Sequence, residues 1–296
     1  MTRTAATPGV SSSRGGQSSL WLQCLIDGVA GLTVKARHAV YCEASPFQKI
    51  EVFDTYGYGR VLVLGGTIVL TEHDEHVYHE MITHPAMLMH PAPARVCVVG
   101  GGDGGCVREV LKHKCVGEVT VFEIDALVKE TVEKHFPALS AGFADPRTNV
   151  VIGDGAELLE SSGESWDVIF VDSYDPGGPV QTLETASFFR SVADHLREGG
   201  IAVFQTDSPT VRPEVLRGTH AHVSAVFAAT RPYLCTLPSF PGGTCSFLAA
   251  TDAPEVLQRF DRDRYRASAD RCRYYNDQVH EGAALLPRNV TDIVQG

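Results

Sequence analysis

Early in the chain, apolar and polar residues alternate with a period of two. The stretches "LTVKARHAVYCEAS" (32–45), "QKIEVFDT" (48–55) and "RVLVLGGTIVLT" (60–71) carry that period between "YGYG" and "GG" turns. This predicts a small antiparallel sheet over about 21–70. The period then lengthens. In "DEHVYHEMITHPAMLMH" (74–90), Val77, Met81, Ile82, Met87 and Leu88 fall near helical spacing, and "HPAPA" breaks the segment. From Arg95 onward short apolar strands ("RVCVVG", "EVTVFEI", "NVVIG", "WDVIFVD", "GIAVFQT") alternate with helical stretches ("CVREVLKHK", "ALVKETVEKHF", "AELLES", "TASFFRSVADHLREG"). That rhythm predicts a parallel sheet covered by helices on both faces. "YLCTLPSF" and "TCSFLAATD" then read as an antiparallel pair at the sheet edge, joined at "PGG". No internal repeat is present. The expected organisation is an unstructured Ser/Gly/Thr-rich leader (1–19), a β domain (20–80) and an α/β domain (81–296).

Composition narrows the partners more than the fold. The 296 residues are 44% hydrophobic and 21% charged, an ordinary globular balance with length for one large domain and a smaller one. A formal net charge of −11 weighs against nucleic acid, whose phosphates need a basic face, and suits cationic ligands. None of the eight cysteines forms a C-x-x-C pair, and several fall within predicted strands or helices. A reducing, cytoplasmic setting is expected, with neither a secretory signal nor an apolar run of the ~18 residues a membrane span needs.

The candidate chemistry gathers at strand ends. "VVGGGDGGC" places Gly100, Gly102 and Gly105 in G-x-G-x-x-G spacing after the first strand of the α/β part, where open parallel sheets bind ligands. Alone the pattern is weak, and a ligand-free tight turn would also satisfy it. The second strand ends with Glu123, about twenty residues on, where an acid grips ribose hydroxyls. Asp103 inside the glycine loop would repel a pyrophosphate but suits a cationic sulfonium nucleoside, so an S-adenosyl compound fits better than a dinucleotide. Asp154, in "GDG" at the third strand end, is placed to accept from an adenine amino group. Asp172 and Asp175, in "VDSYDPGGP" after the fourth strand, stand close enough to hold an ammonium group and take its proton. A solvated turn is the bland alternative there.

These motifs, with "YHEM" (78–81), "FQTDSP" and "RYYNDQVHEGAALLP", resemble the polyamine aminopropyltransferase (spermidine synthase) family from about Trp21 to the C-terminus, in family order. The resemblance implies a Rossmann-like, methyltransferase-type sheet after a small antiparallel β domain, and a homodimer or homotetramer. It implies aminopropyl transfer from decarboxylated S-adenosylmethionine, as co-substrate, to an amine such as putrescine, with methylthioadenosine released and no metal or tightly bound cofactor. By matching motif, Gln48, Glu123, Asp154, Gly155 and Pro179 would hold the nucleoside, and Asp103 the cationic aminopropyl end. Asp172 would be the base. Tyr78, His79 and Asp175 would position the acceptor amine, with Gln205 and Asp207 lining the same cavity. Departures from the family pattern fall at Gly65, His76, Tyr174, Thr210 and Phe240, mostly in segments expected to meet the acceptor, so Tyr174 and Phe240 are expected to reshape its pocket.

Two rivals share these residues: an S-adenosylmethionine-dependent N-methyltransferase, and a non-catalytic subunit that binds nucleoside or polyamine. Zinc is disfavoured. His79 and His84 of "HEMITH" are five apart rather than four, and His76 with His79 lacks a third ligand. Cys106 reads as a packing residue, and the aromatics of "RYYND" as core or interface.

Overall fold

A computed structural model describes residues 10–12, 18–26, 30–173, 181–268 and 272–295. The alternating segments form a six-stranded antiparallel sheet in sequential order: β1 (Val10–Ser12), β2 (Ser18–Ile26), β3 (Ala30–Ala44), β4 (Lys49–Thr55), β5 (Arg60–Leu64) and β6 (Thr67–Thr71). The expected leader is thus not wholly without structure, because Val10–Ser12 pairs antiparallel with Ser18–Leu20 along the sheet edge. One face buries Leu22, Val34, Phe53, Val61 and Ile68. The other buries Ile50, Val52, Leu62 and Leu70 against Val128, Val132, Phe136 and Leu139 of the second domain. Alternation is cleanest where one face is covered, as in β3, with Val34 and Ala36 buried and Lys35 and Arg37 exposed; the central β4 and β5, covered on both faces, are buried almost without a break.

After helix α1 (Glu75–Met89) the second sheet is built from β7 (Arg95–Gly100), β8 (Glu118–Glu123), β9 (Thr148–Ile152), β10 (Trp166–Asp172), β11 (Leu196–Gln205), β12 (Ala229–Thr236) and β13 (Thr244–Thr251). Its order is β12-β13-β11-β10-β7-β8-β9. The five strands from β11 to β9 run parallel, and the β12–β13 hairpin closes the β11 edge antiparallel. The connecting helices are α2 (Gly105–Val110), α3 (Ala126–His135), α4 (Pro137–Ser140), α5 (Gly155–Ser161), α6 (Ala186–Asp194) and α7 (Pro213–Ser224); α8 (Arg262–Ser268), α9 (Asp277–Gly282) and α10 (Arg288–Gln295) end the chain. Two apolar layers, one on each sheet face, account for the continuous apolar runs of these strands. No described helix is long and apolar enough to cross a membrane.

Two expectations shift. A domain boundary at residue 80 would cut α1, whose Val77, Met81, Ile82, Met87 and Leu88 belong to the same core layer as β7, β8 and β10; the helix is part of the α/β body. The helix expected to run through "LREG" stops at Asp194, and Leu196–Gly200 already belong to β11. Gly199, at a φ of 73°, has a left-handed backbone that continued helix would not supply.

Candidate active site

Strand order reverses between β7 and β10: β8 and β9 lie to one side of β7, β10 and β11 to the other. At such a switch point the loops leave in opposite directions and open a crevice beyond the carboxyl ends of the strands. A cavity of about 1200 Å³, open mouth included, occupies that crevice, and Gln48, Leu62, Leu64, Ile68 and Val69 of the N-terminal domain wall it on one side. Four carboxylates line it, those of Asp103, Glu123, Asp154 and Asp172, and no Lys, Arg or His is among the described lining residues.

The glycine loop makes room for side chains rather than for a phosphate. A Cβ on Gly102 would come within 2.4 Å of Glu123 Oε2, and one on Gly105 within 2.3 Å of the His79 ring. Each glycine therefore lets one functional side chain pass close to the backbone. Glu123 also accepts from the Asp125 amide at 2.8 Å. Burial, only partly offset by that hydrogen bond, raises its carboxyl to about 7. Asp125 in turn accepts from Ser45 Oγ at 2.6 Å and from Gln48 Nε2 at 3.3 Å, fastening Gln48 of the β domain beside the cavity. Asp154 caps α5 through Oδ1, which accepts from the Ala156 amide at 2.8 Å. Its other oxygen is not used in that cap.

Across the cavity, Tyr78 Oη donates to Asp172 Oδ1 at 2.6 Å. Asp172 Oδ2 is buried and has no hydrogen-bond partner among the described residues, and the same holds for Gln205 Nε2. Burial first, then the nearby Asp103 charge, raise the Asp172 carboxyl from 3.8 to about 6. Asp103 accepts from the Gly105 amide at 2.8 Å and faces His79 Nε2 at 3.2 Å. Burial would discharge His79, but Asp103 and Glu75 on either side outweigh it and hold the ring protonated well above its ordinary value.

Of the expected site residues, Gln48, Tyr78, Asp103, Glu123, Asp154, Gly155, Asp172, Gln205 and Phe240 come together on the cavity wall. His79 and Asp207 are not on the wall. His79 stands behind Asp103. Asp207 is 1% exposed, at a φ of 60°, with Oδ1 accepting from the Ser208 amide and Oδ2 3.7 Å from Arg212 Nε. Tyr174, Asp175 and Pro179 lie outside the described residues. His79, Asp103 and Asp172 bring ligand-type atoms within 4.8 Å of one another. Glu75 and Asp103 flank the imidazole on its two nitrogens and favour its charged form.

Several residues that build the site carry no local sequence signal. Asp74 accepts from Thr71 Oγ1 at 2.5 Å and from the Ser239 amide and hydroxyl at 2.9 and 2.8 Å, tying the start of α1 to the loop that carries Ser239 and Phe240. Glu80 accepts from the amides of Arg273, Tyr274 and Tyr275 at 2.7, 2.7 and 2.8 Å. The "RYYND" segment is thereby clamped beneath α1, with Tyr275 in the core.

Fold and site together define a Rossmann-like transferase whose strand ends are covered by a β-sheet domain. Residues 75–259 match the spermine/spermidine synthase domain, and residues 20–72 the spermidine synthase tetramerisation domain. The chain belongs to the spermine/spermidine synthase family, and its activity is that of a polyamine aminopropyltransferase. It is 37% identical over 281 residues to the polyamine aminopropyltransferase of Thermoanaerobacter sp. (strain X514), covering 93% of this chain and 98% of that one. The Bacillus subtilis (strain 168) polyamine aminopropyltransferase is 36% identical over 265 residues, 90% of this chain and 95% of that one. A spermidine synthase solved in complex with the transition-state analogue AdoDATO superposes with a TM-score of 0.90 at 33% identity, over 99% of this chain and 98% of that one. Spermidine synthase from Thermotoga maritima does so with a TM-score of 0.89 at 33% identity, over 99% and 97%.

Proposed function

We propose that the chain transfers the aminopropyl group of decarboxylated S-adenosylmethionine to a primary amine of putrescine or a related polyamine, releasing methylthioadenosine, with Asp172 as base. The observation that carries this reading is a cavity with four carboxylates and no cationic side chain among its described lining residues. Both substrates would enter as cations, a sulfonium bearing an ammonium tail and an alkyl ammonium. Glu123 would accept from the ribose hydroxyls, the Asp154 oxygen left outside the helix cap from the adenine amino group, and Gln48 and Gly155 would flank the nucleoside. Asp103 would take the ammonium of the aminopropyl tail. Ordinary S-adenosylmethionine would bring a carboxylate to that same acid, which disfavours it.

The acceptor would approach Asp172 Oδ2, the buried oxygen without a partner, while Tyr78 holds Oδ1. An alkyl ammonium of pKa ~10 has no lone pair to attack with. A carboxylate raised to about 6 is the stronger base for removing that proton. The freed lone pair attacks the methylene carbon next to sulfur as the carbon–sulfur bond breaks. The bonding pair returns to sulfur, and the sulfonium leaves as a neutral thioether. Positioning supplies the rest of the acceleration. Gln205 and Phe240 on the wall, and Tyr174 and Asp175 in the adjoining segment, complete the acceptor side of this reading. Assembly as a homodimer or homotetramer is supported by the match of residues 20–72 to a tetramerisation domain. A cytoplasmic setting accords with eight free thiols.

Mass spectrometry of incubations pairing S-adenosylmethionine or its decarboxylated form with a panel of di- and polyamines tests this. The expected product is an amine extended by one aminopropyl group, with methylthioadenosine formed only from the decarboxylated donor. Methylation of the amine with release of S-adenosylhomocysteine would overturn the reading. Asp172→Asn is expected to lower kcat by a factor of about 10²–10⁴, the usual worth of a general base, while methylthioadenosine affinity stays close to wild type. In the wild-type enzyme the acid limb of kcat/KM should fall near pH 6, activity rising as Asp172 ionises.

A further inference from the structure

Behind Asp103 runs a chain of buried and half-buried groups of alternating charge, His79, Glu75, Arg108 and Glu109, none of which lines the cavity. His79 Nε2 faces Asp103 at 3.2 Å, and its Nδ1 meets Glu75 Oε2 at 2.7 Å. Both Glu75 oxygens are held by the Arg108 guanidinium, at 2.9 Å from Nη1 and 2.8 Å from Nη2, in a two-point fork. Arg108 Nε donates to Glu109 at 2.8 Å, which fixes the guanidinium plane. The side chains of His79 and Glu75 are 2% and 11% exposed. Space for the imidazole exists only because position 105 has no side chain, since a Cβ there would sit 2.3–2.4 Å from three of its ring atoms. The Tyr78 ring packs against the imidazole in a T-shaped pair, 5.3 Å between centroids.

We infer that Glu75 and Arg108 are positioning residues that act through His79 to fix the Asp103 carboxylate as the anchor for the ammonium tail of the nucleoside substrate. The inference rests on the proposed placement of that tail at Asp103. Three carboxylates other than Asp103 have fields that reach the imidazole or its acid: Glu75 from α1, Asp172 from β10 and Glu123 from β8. Without a held cation among them, Asp103 and Asp172 would face each other as like charges in a largely buried site, and one would take up a proton. His79 is that cation. Glu75 keeps it charged and keeps its Nε2–H pointed at Asp103, and the Arg108 fork prevents Glu75 from swinging away. Asp103 is left ionised with its orientation set from behind, and Asp172 stays free to exchange a proton with the acceptor.

The test compares two nucleosides on wild type, Glu75→Gln and Arg108→Gln. Decarboxylated S-adenosylmethionine carries the ammonium tail; methylthioadenosine lacks it and is neutral. Calorimetry on the wild type first tests the parent reading, because failure of the wild type to prefer the cationic nucleoside would overturn the placement of the tail at Asp103 itself. Given that preference, Glu75→Gln is expected to weaken the cationic nucleoside by about tenfold, the worth of a hydrogen bond to a charged group, with less than about a twofold change for methylthioadenosine. Nitrogen-15 NMR of the imidazoles should find His79 still protonated well above the ordinary histidine range in the wild type and titrating at lower pH in Glu75→Gln. Equal losses for both nucleosides, no loss for either, or a His79 unchanged in charge would overturn the relay while leaving the parent reading standing. Arg108, 23% exposed, supplies the second variant should Glu75→Gln not fold. Arg108→Gln is expected to reproduce the selective loss in weaker form, and affinities equal to wild type would count against the relay.

Discussion

Gly102 and Glu123 show how a glycine and an acid twenty-one positions apart make one device. The carboxylate occupies the space a side chain at 102 would fill, 2.4 Å from where its Cβ would stand. Gly102→Ala should therefore displace Glu123 and lower methylthioadenosine affinity by about tenfold while the far-ultraviolet circular dichroism is kept, a comparison that titration calorimetry would settle. Glu123 also has a cost in the empty enzyme. Its folded carboxyl is raised from 4.5 to about 7, so below about pH 4.5 both states are protonated and its full contribution is present; it is lost as pH rises through 7. By linkage the loss is about 3 kcal/mol between pH 5 and 8. Glu123→Gln should flatten that part of the urea-stability profile relative to wild type, and equal slopes in the two proteins would refute the assignment. The acids at strand ends were legible in sequence because each closes a short contiguous motif. Asp154 was legible only as an acid in the right place: its use as a helix cap depends on how α5 starts, which the motif alone does not state. Asp207 looked equivalent to its neighbour Gln205, but a φ of 60° turns it away from the wall and towards Arg212.

Among the elements, α1 carries the most. Twelve of its fifteen residues are buried, because it lies between the parallel sheet and the C-terminal segments. That is why its apolar pattern, spread round the helix, does not say which domain it joins. Tyr78 and His79 face the site, Glu75 reaches α2, and Glu80 faces the opposite way to receive three amides of 273–275. Removing that acceptor leaves the three N–H groups, that of the buried Tyr275 among them, without it. Glu80→Ala should cost about 3–5 kcal/mol and make those three amides exchange with deuterium much faster, as hydrogen-exchange mass spectrometry of the 268–282 region would show. None of these pairings could be read beforehand. Glu75 and Arg108 are thirty-three residues apart, Asp74 and Ser239 one hundred and sixty-five, and Glu80 and Tyr275 one hundred and ninety-five, and no local period links them.

At the scale of the molecule, the net charge of −11 and the four acids of the cavity act in the same direction. Exposed charges are screened over about 8 Å at physiological ionic strength, so the attraction drawing a polycation inward is salt-dependent. Raising NaCl from about 50 to about 500 mM should increase KM for the amine several-fold with little change in kcat, while the affinity of neutral methylthioadenosine stays constant. The period-two and strand–helix rhythms were enough to predict two domains in their order. The cavity needed the fold, because Gln48 and Leu62 come from one sheet and Asp103 and Asp172 from the other. The strand order has a last consequence. The loops expected to grip the nucleoside follow β7, β8 and β9, whereas Leu237, Ser239 and Phe240 hang from the β12–β13 hairpin at the far edge, beyond β11. On the proposed placement of the substrates, this turn is a part of the acceptor side that can be exchanged apart from the nucleoside loops. A relative's 237–243 turn could be transplanted here to exchange one amine for another, provided Asp74 still finds a serine to hold, and the nucleoside grip would be inherited unchanged.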